Sequence, residues 1–276
     1  NMESITLIKK PEMVLQDMVR LGIKKSDAET GPLFLKAVLA GVFIALSAAA
    51  SSAATFEIAN HGLAKLVAGA IFPVGLMMVI ILGGELFTGN SLTFFSKMSG
   101  KSSWTDLLRI LVVVFIGNMI GSVCIAFMVY GCGQFDMGDG ALGGFVIKVA
   151  VAKVTQTPAK LFISANLCNV LVCLSVLMAK ASRDVEGKIW SAFFPILAFV
   201  IGGYEHCVAN MYYIPAGLIA ATNDKYREAA IQLYGVSADK LDALTIKAFL
   251  INNLVPVTMG NIVGGVLLVA VPFFII

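Results

Sequence analysis

The sequence predicts an all-helical integral membrane protein whose six transmembrane helices form two inverted three-helix repeats. Three observations lead to this fold class. Of the 276 residues, 58% are hydrophobic and only 13% are charged, and the mean hydropathy is +0.89, whereas soluble domains carry about a quarter charged residues. Six stretches are apolar and long enough to cross a hydrocarbon core of about 30 Å. The second and the fifth of these stretches share the same interruption.

The composition also excludes several classes of protein. A chain so poor in charge is neither a soluble enzyme nor a disordered segment, and its net charge of +3 contains no basic cluster for a nucleic-acid partner. No Walker A, H-E-x-x-H or nucleophile-elbow motif is present. The five cysteines form no C-x-x-C pair and no histidine stands at metal-ligand spacing. We therefore expect no disulfide, metal site or cofactor.

Residues 1–32 are expected to form a cytoplasmic N-terminal segment, followed by a single transmembrane channel domain at 33–276. Apolar residues recur among charges in the segment, which predicts a short amphipathic helix on the inner membrane face that ends near Gly31-Pro32. The segment lacks the continuous apolar core of a signal peptide, so we expect none. The first repeat is predicted at about 33–131 and the second at about 161–276.

The six predicted spans follow one another along the chain, separated by shorter polar segments. Between the fifth and sixth spans, residues 222–247 are charged and predict a solvated loop with one helix. The predicted spans are Leu33–Ala54, Leu66–Phe95, Leu107–Gly131, Leu161–Ala179, Ile189–Ala221 and Ala248–Ile276.

The second and fifth spans are each interrupted by a glycine pair that precedes a carboxylate. The second contains GGELFTGN at 83–90, and the fifth contains GGYEHCVAN at 202–210. Paired glycines in mid-span favour an unwound backbone. Unwound backbone at membrane depth is tolerated only where it is buried in protein or lines a cavity. We therefore predict that helices 2 and 5 are broken at a pore.

The third and sixth spans also share a motif, G-N-x-x-G, at 117–121 and 260–264. This spacing predicts close helix packing together with an interhelical hydrogen bond from Asn118 and from Asn261. Three spans are an odd number, so two copies of the unit must have opposite topology. Inverted repeats with paired broken helices place a transport site near the midplane.

Three ionisable residues lie in mid-membrane: Glu85, Glu205 and His206, all within the two breaks. Such residues mark a pathway or a site by default. For the carboxylates we favour a structural role, in which they accept hydrogen bonds from backbone N–H groups that the breaks free. His206 can offer a hydrogen bond or a proton at physiological pH. Thr88, in the opposite break, is its expected partner.

Apolar side chains flank these polar groups, and lysines precede the fourth span. Taken together, the apolar residues predict a constriction that rejects hydrated cations and large solutes, although each alone could be ordinary packing. Lys148 and Lys153 could make a vestibule positive, or could extend to the membrane interface. The predicted constriction residues are Phe72, Leu86, Phe87, Phe199 and Val208.

The distribution of Lys and Arg gives the orientation. With the N-terminus inside, the inner segments hold ten of these residues and the outer segments eight. Positive charge accumulates on the cytoplasmic side of membrane proteins. We therefore expect both termini in the cytoplasm.

Three runs in the chain resemble the formate/nitrite transporter family: ELFTGN at 85–90, NLCNVLVCL at 166–174 and YEHCVANM at 204–211. The resemblance implies a six-span, aquaporin-like fold in the inner (plasma) membrane. It also implies a homopentamer, surrounded by membrane lipid, with one pore in each protomer for small monovalent anions such as formate, nitrite or hydrosulfide. Gly89-Asn90 and Tyr204 look most like the hydrosulfide-channel branch of the family.

The resemblance also implies roles for single residues. His206 looks like the central pore histidine and Thr88 like the threonine of the opposing loop, while Lys153 looks like the vestibule lysine. Leu86, Phe72 and Phe199 match constriction residues of the family. Asn169, Asn210 and Glu205 match other family positions, the last being the acid before the histidine.

The residues and the resemblance lead to one hypothesis. Lys153 draws an anion into a vestibule, the constriction strips its water, and His206, held by Thr88, donates a hydrogen bond or a proton. Flux should then rise as pH falls. A proton-coupled weak-acid symporter would use the same residues. An aquaglyceroporin-like channel would need paired Asn-Pro-Ala motifs, which the sequence lacks, and a membrane enzyme would need a second catalytic partner near His206, for which the sequence offers none beyond Glu205 and Glu85.

Overall fold

The computed structural model describes residues 7–276, which are helical apart from turns and one isolated β-bridge between Ile8 and Ser182. In the first half, short 3₁₀ turns at Gly89–Thr93 and Gln134–Asp136 connect the α-helices. These helices are α1 (Pro11–Ser26), α2 (Thr30–Thr55), α3 (His61–Ile71), α4 (Pro73–Leu82), α5 (Phe94–Met98), α6 (Trp104–Gly131) and α7 (Ala141–Val154).

The second half repeats this order of long and broken helices. Two π-helical segments, Ala248–Leu254 and Val266–Ala270, interrupt its last span. The helices are α8 (Pro158–Ala181), α9 (Val185–Gly202), α10 (Cys207–Ala220), α11 (Asp224–Gln232), α12 (Ala238–Asp242), α13 (Val255–Gly265) and α14 (Val271–Ile275).

Six helical segments are long and apolar enough to cross a membrane, as predicted. The second of them, His61–Leu82, begins five residues before the predicted start and combines α3 with α4. The others are Thr30–Thr55, Trp104–Gly131, Pro158–Ala181, Val185–Gly202 and Ala248–Ile275. The predicted all-α fold with six spans is therefore confirmed.

Three local predictions differ from the structure. The amphipathic helix α1 ends at Ser26, and Gly31-Pro32 lie in the first turn of α2, where a proline loses no helical hydrogen bond. Segment 222–247 contains two helices, α11 and α12, instead of one. Helix α7 was not predicted; with 14 residues it is too short to span a membrane, yet it is largely buried.

The G-N-x-x-G motifs pack helices as predicted. A Cβ on Gly121 would collide with the Val38 carbonyl of α2, and a Cβ on Gly264 would collide with the Asn166 carbonyl of α8. Asn118 donates to the Ala37 carbonyl at 2.7 Å, and Asn261 donates to the Ala165 carbonyl at 2.8 Å. Because the same contacts recur, α6 and α13 occupy equivalent places against α2 and α8.

Candidate functional site: a buried polar pair between two cavities

The first break begins where Gly83 takes a left-handed conformation (φ +79°) at the end of α4. The chain then runs without helical structure to Thr88 and re-enters as the 3₁₀ turn Gly89–Thr93. Backbone groups within this stretch find partners outside it; the Glu85 N–H, for example, donates to the Lys36 carbonyl at 3.1 Å.

The second break repeats this geometry. Gly203 (φ +68°) ends α9, and α10 begins after His206. His206 is the N-cap of α10, since its Nδ1 accepts a hydrogen bond from the Ala209 N–H at 3.1 Å. The imidazole is therefore fixed by the first turn of the helix that it caps.

Two asparagines hold the unwound segments in place. The Oδ1 of Asn118 accepts from the Phe87 N–H at 2.8 Å, and its Nδ2 donates to the Glu85 carbonyl at 2.9 Å. Asn261 does the same in the second break, with the Cys207 N–H at 2.9 Å and the Glu205 carbonyl at 3.0 Å. An amide side chain suits this task because it offers both donors and an acceptor.

The carboxylates do not accept the backbone N–H bonds that we expected of them. Glu205 instead binds the Lys153 ammonium through both oxygens, at 3.0 and 3.1 Å, and accepts from Asn210 at 2.6 Å. The Lys153 side chain is 15% exposed and that of Glu205 5%. A buried charge needs a charged partner, and here that partner is a lysine from α7.

Glu85 has an equivalent partner, which the sequence analysis missed. The Lys25 ammonium lies 2.6 Å from Glu85 Oε2 and donates to Asn90 Oδ1 at 2.7 Å, and Asn90 also donates to Glu85 at 3.1 Å. The repeat could have revealed this pair. Lys25 and Lys153 hold corresponding positions in the two repeats, since each precedes a proline in the first turn of the next span.

His206 and Thr88 are brought together across 118 positions of the chain. The His206 Nε2 lies 3.0 Å from Thr88 Oγ1, and both residues are buried. Because Nδ1 accepts from Ala209, the proton of a neutral imidazole resides on Nε2 and is directed at the threonine oxygen. The threonine hydroxyl then keeps its own proton for another acceptor.

Two cavities that share no lining residue approach this pair. One, the His206 cavity, has a volume of about 700 Å³ and is lined by His206, Lys153, Phe72 and Phe199 among others. The other, the Glu85 cavity, has a volume of about 260 Å³ and is lined by Glu85 and Leu86 among others.

Aromatic side chains narrow the end of the His206 cavity. The rings of Phe72 and Phe199 meet edge to face, with centroids 5.5 Å apart, and Phe199 lies 6.0 Å from the imidazole. Phe87, in contrast, packs against Phe115 at 5.1 Å, and Val208 is fully buried; neither lines a described cavity.

The two other candidate asparagines support neighbouring groups instead of lining a cavity. Asn169 donates to the Thr88 carbonyl at 3.2 Å and so fixes the residue that meets His206. Asn210 donates to Glu205 and, at 2.8 Å, to Asn253 in the first π-helical segment. Among residues 7–276, no group of three His, Cys, Asp or Glu side chains could hold a metal ion.

Comparison with known proteins gives consistent matches along the chain. A profile described as formate/nitrite transporter matches residues 12–275. The chain is 37% identical to the formate channel FocA of Haemophilus influenzae over 236 residues, covering 84% of this chain and 80% of that protein. It is 38% identical to a probable formate transporter of Methanothermobacter thermautotrophicus over 265 residues, covering 89% of each.

Solved structures agree with these matches. The chain is similar to a pentameric formate channel with formate bound, with a TM-score of 0.78, 32% identity and coverage of 89% of this chain and 96% of that one. It is also similar to an FNT family ion channel, with a TM-score of 0.80, 27% identity and coverage of 96% and 98%. The broken helices, the buried polar pair and these matches together show that the chain belongs to the formate/nitrite transporter family.

Proposed function

We propose that this protein is a channel for small monovalent anions, namely formate, nitrite and hydrosulfide. It works as a homopentamer in the inner membrane, with a pore in each protomer and both termini in the cytoplasm. The observation that carries the proposal is the contact between His206 Nε2 and Thr88 Oγ1, which lies between two cavities without a common residue. An anion that passes from one cavity to the other must cross this pair.

The barrier at the pair is electrostatic. Moving a bare carboxylate-sized ion into an apolar medium costs on the order of 20 kcal/mol. The Phe72 and Phe199 rings lie at the His206 end of the cavity, with Phe199 6.0 Å from the imidazole, and offer an anion no strong hydrogen-bond donor. A permeating anion must therefore receive a strong hydrogen bond there, or cross as its neutral acid.

The tautomer of His206 favours the hydrogen bond over proton donation by the imidazole. A neutral ring that gave up its Nε2 proton would become an imidazolate, and an imidazolium would need a proton on Nδ1, where the Ala209 N–H already binds. His206 and Thr88 thus act as donors that exchange their mutual bond for one to the anion. A substrate that crosses as its neutral acid then takes its proton from a hydronium ion of the solvent, which leaves water behind.

The remaining candidate residues shape the path. Lys153 lines the His206 cavity and Leu86 the Glu85 cavity, where it forms the second apolar constriction. Asn169 holds the Thr88 segment, and Asn210 holds Glu205. Phe87 and Val208 pack behind the constriction as its apolar support.

The identity of the anion and the coupling to protons are part of the proposal. Formate is supported by the relatives that are named formate channels. Hydrosulfide is supported by Gly89-Asn90 and Tyr204, which look most like the hydrosulfide-channel branch. A proton-coupled symporter is the second candidate, because the His206–Thr88 pair would serve it equally. Catalysis is excluded, since the family consists of transport proteins.

Uptake into proteoliposomes tests the proposal. Formate, nitrite and hydrosulfide should enter, with rates that rise as the pH falls, and glycerol should not. His206→Ala and Thr88→Val should each reduce anion uptake at least tenfold. Lys160→Gln, which changes an exposed residue that lines neither cavity, is the matched control. Uptake of glycerol without anions, or full anion uptake by His206→Ala, would refute the proposal.

A further inference from the structure

The positive charge in the His206 cavity is distributed differently from what the sequence suggests. Lys153 is bound through both carboxylate oxygens of Glu205, so the two form a neutral pair. The Lys148 ammonium lies 5.6 Å from the Phe145 ring and 5.3 Å from the Tyr234 ring, in cation–π geometry. Both lysines are therefore already engaged within the protein.

A third lysine lines the same cavity and is free. Lys65 of α3 is half-buried, and within residues 7–276 no hydrogen bond or ion pair engages its ammonium. The Lys65 Nζ lies 2.8 Å from where a Cβ on Gly203 would stand. Gly203 is two residues before Glu205 and three before His206, so the ammonium lies beside the second break.

A structural role for Lys65 is the main alternative. A cation near the C-terminus of α9 would be favoured by the helix dipole. The carbonyls of Phe199 and Val200 at this end, however, already accept the Gly203 N–H, and the Phe199 carbonyl also accepts the Tyr204 N–H. Within residues 7–276 no carbonyl accepts a hydrogen bond from the Lys65 ammonium, which keeps its three donors for a ligand.

No acidic side chain that lines the cavity forms an ion pair with Lys65 in the described chain. Glu205 belongs to the neutral pair with Lys153, and Glu57 is exposed and makes no ion pair in the described chain. The field of a neutral pair falls off faster than that of a single charge. A half-buried single charge in a narrow cavity therefore concentrates anions more effectively.

We propose that Lys65, and not the Lys153–Glu205 pair, supplies the charge that collects and binds small monovalent anions in the His206 cavity. This inference rests on the proposed channel function. Lys65 receives the anion from bulk water beside the break at Gly203. The anion then moves on to Phe72, Phe199 and the imidazole.

The test is the dependence of anion uptake on ionic strength in proteoliposomes. Lys65→Gln should lower the initial rate at subsaturating formate about three- to tenfold at roughly 20 mM salt, and less than twofold at roughly 300 mM, because salt screens the charge. The rate at saturating formate should change little. Lys160→Gln removes an exposed lysine that lines no described cavity and is the matched control.

Chemical modification separates charge from structure. Anion uptake by Lys65→Cys should be slow at low salt. The rate should recover when a methanethiosulfonate reagent attaches an amine to the cysteine, and it should fall further when the reagent attaches a sulfonate. Wild-type protein treated in the same way controls for the two exposed cysteines, Cys124 and Cys132.

Each outcome has a definite meaning. A deficit in Lys65→Gln that is equal at both salt concentrations and is not rescued by the amine would indicate a structural role and overturn the inference. Unchanged uptake would overturn it as well. If wild-type protein passes no anion at all, the proposed channel function fails instead, so the two failures are distinguishable.

Discussion

Removing one partner of the Lys153–Glu205 pair should cost far more stability than removing both. At 3.0 Å and an effective dielectric constant of 20, the attraction between the two charges is about 5.5 kcal/mol. Desolvation of both groups offsets much of this energy, and a single charge left behind at such burial costs about 3–5 kcal/mol. Lys153→Met and Glu205→Gln should each show a loss of this size, and the double variant should be close to wild type.

Denaturant titration in detergent micelles, followed by circular dichroism, would give the four free energies of unfolding of this cycle. Lys160→Met and Glu186→Gln change exposed residues without an ion-pair partner in the described chain and are the matched controls. The expected coupling energy between Lys153 and Glu205 is about 6–10 kcal/mol, the sum of the two single losses, since the double variant leaves no unpaired charge.

Additive losses in the double variant would refute this reasoning. They would mean that each side chain is held by its other contacts, such as the 2.6 Å bond from Asn210 to Glu205, and not by the ion pair. The reasoning would also be refuted if Lys153→Met had the same free energy of unfolding as the wild type, because Glu205 would then be solvated or protonated without cost.

Three further predictions concern the supports of the pore. Asn261→Leu leaves the buried Cys207 N–H without a partner and should lower the free energy of unfolding by about 2–4 kcal/mol in a denaturant titration. Arg109→Gln removes bonds to the Ser26 carbonyl at the end of α1 (2.7 Å) and to the Ala28 carbonyl just after it (3.0 Å), and should speed hydrogen exchange in α1 while α7 is unchanged. The Lys9 ammonium lowers the pKa of Asp17 below 3.8, so this contact stabilises the docked α1 above that pH and is lost in stronger acid, which NMR titration would detect.

The sequence was sufficient for features that depend on local composition. The six spans follow from apolar length alone, and the two breaks follow from glycine pairs beside a carboxylate. The packing roles of Gly121 and Gly264 and the bonds from Asn118 and Asn261 to neighbouring helices could be predicted because one motif encodes both. The inverted orientation of the two repeats stays a prediction, and so does the division at residue 32.

The partners of the buried carboxylates could not be predicted in this way. Lys25 precedes Glu85 by 60 positions and Lys153 precedes Glu205 by 52, so no local pattern links them. The expectation that the carboxylates bind backbone N–H groups was wrong because an amide side chain can bind the N–H and the C=O of a break at the same time. Because Asn118 and Asn261 bind these backbone groups, the carboxylates of Glu85 and Glu205 remain available to pair with the lysines.

The clusters Lys25–Glu85–Asn90 and Lys153–Glu205–Asn210 have the same chemistry, but their lysines lie on helices that are buried to different extents. Lys153 lies on α7, which is largely buried between other helices, so its cluster can open only when the core opens. Lys25 lies near the end of α1, a helix that precedes the first span and has only three buried residues. Arg109 binds the carbonyl of the next residue, Ser26. Segments with few buried contacts open at lower free energy than the core. We therefore expect the cluster at Glu85 to dissociate at lower free energy than the cluster at Glu205, although the residues of the two clusters correspond.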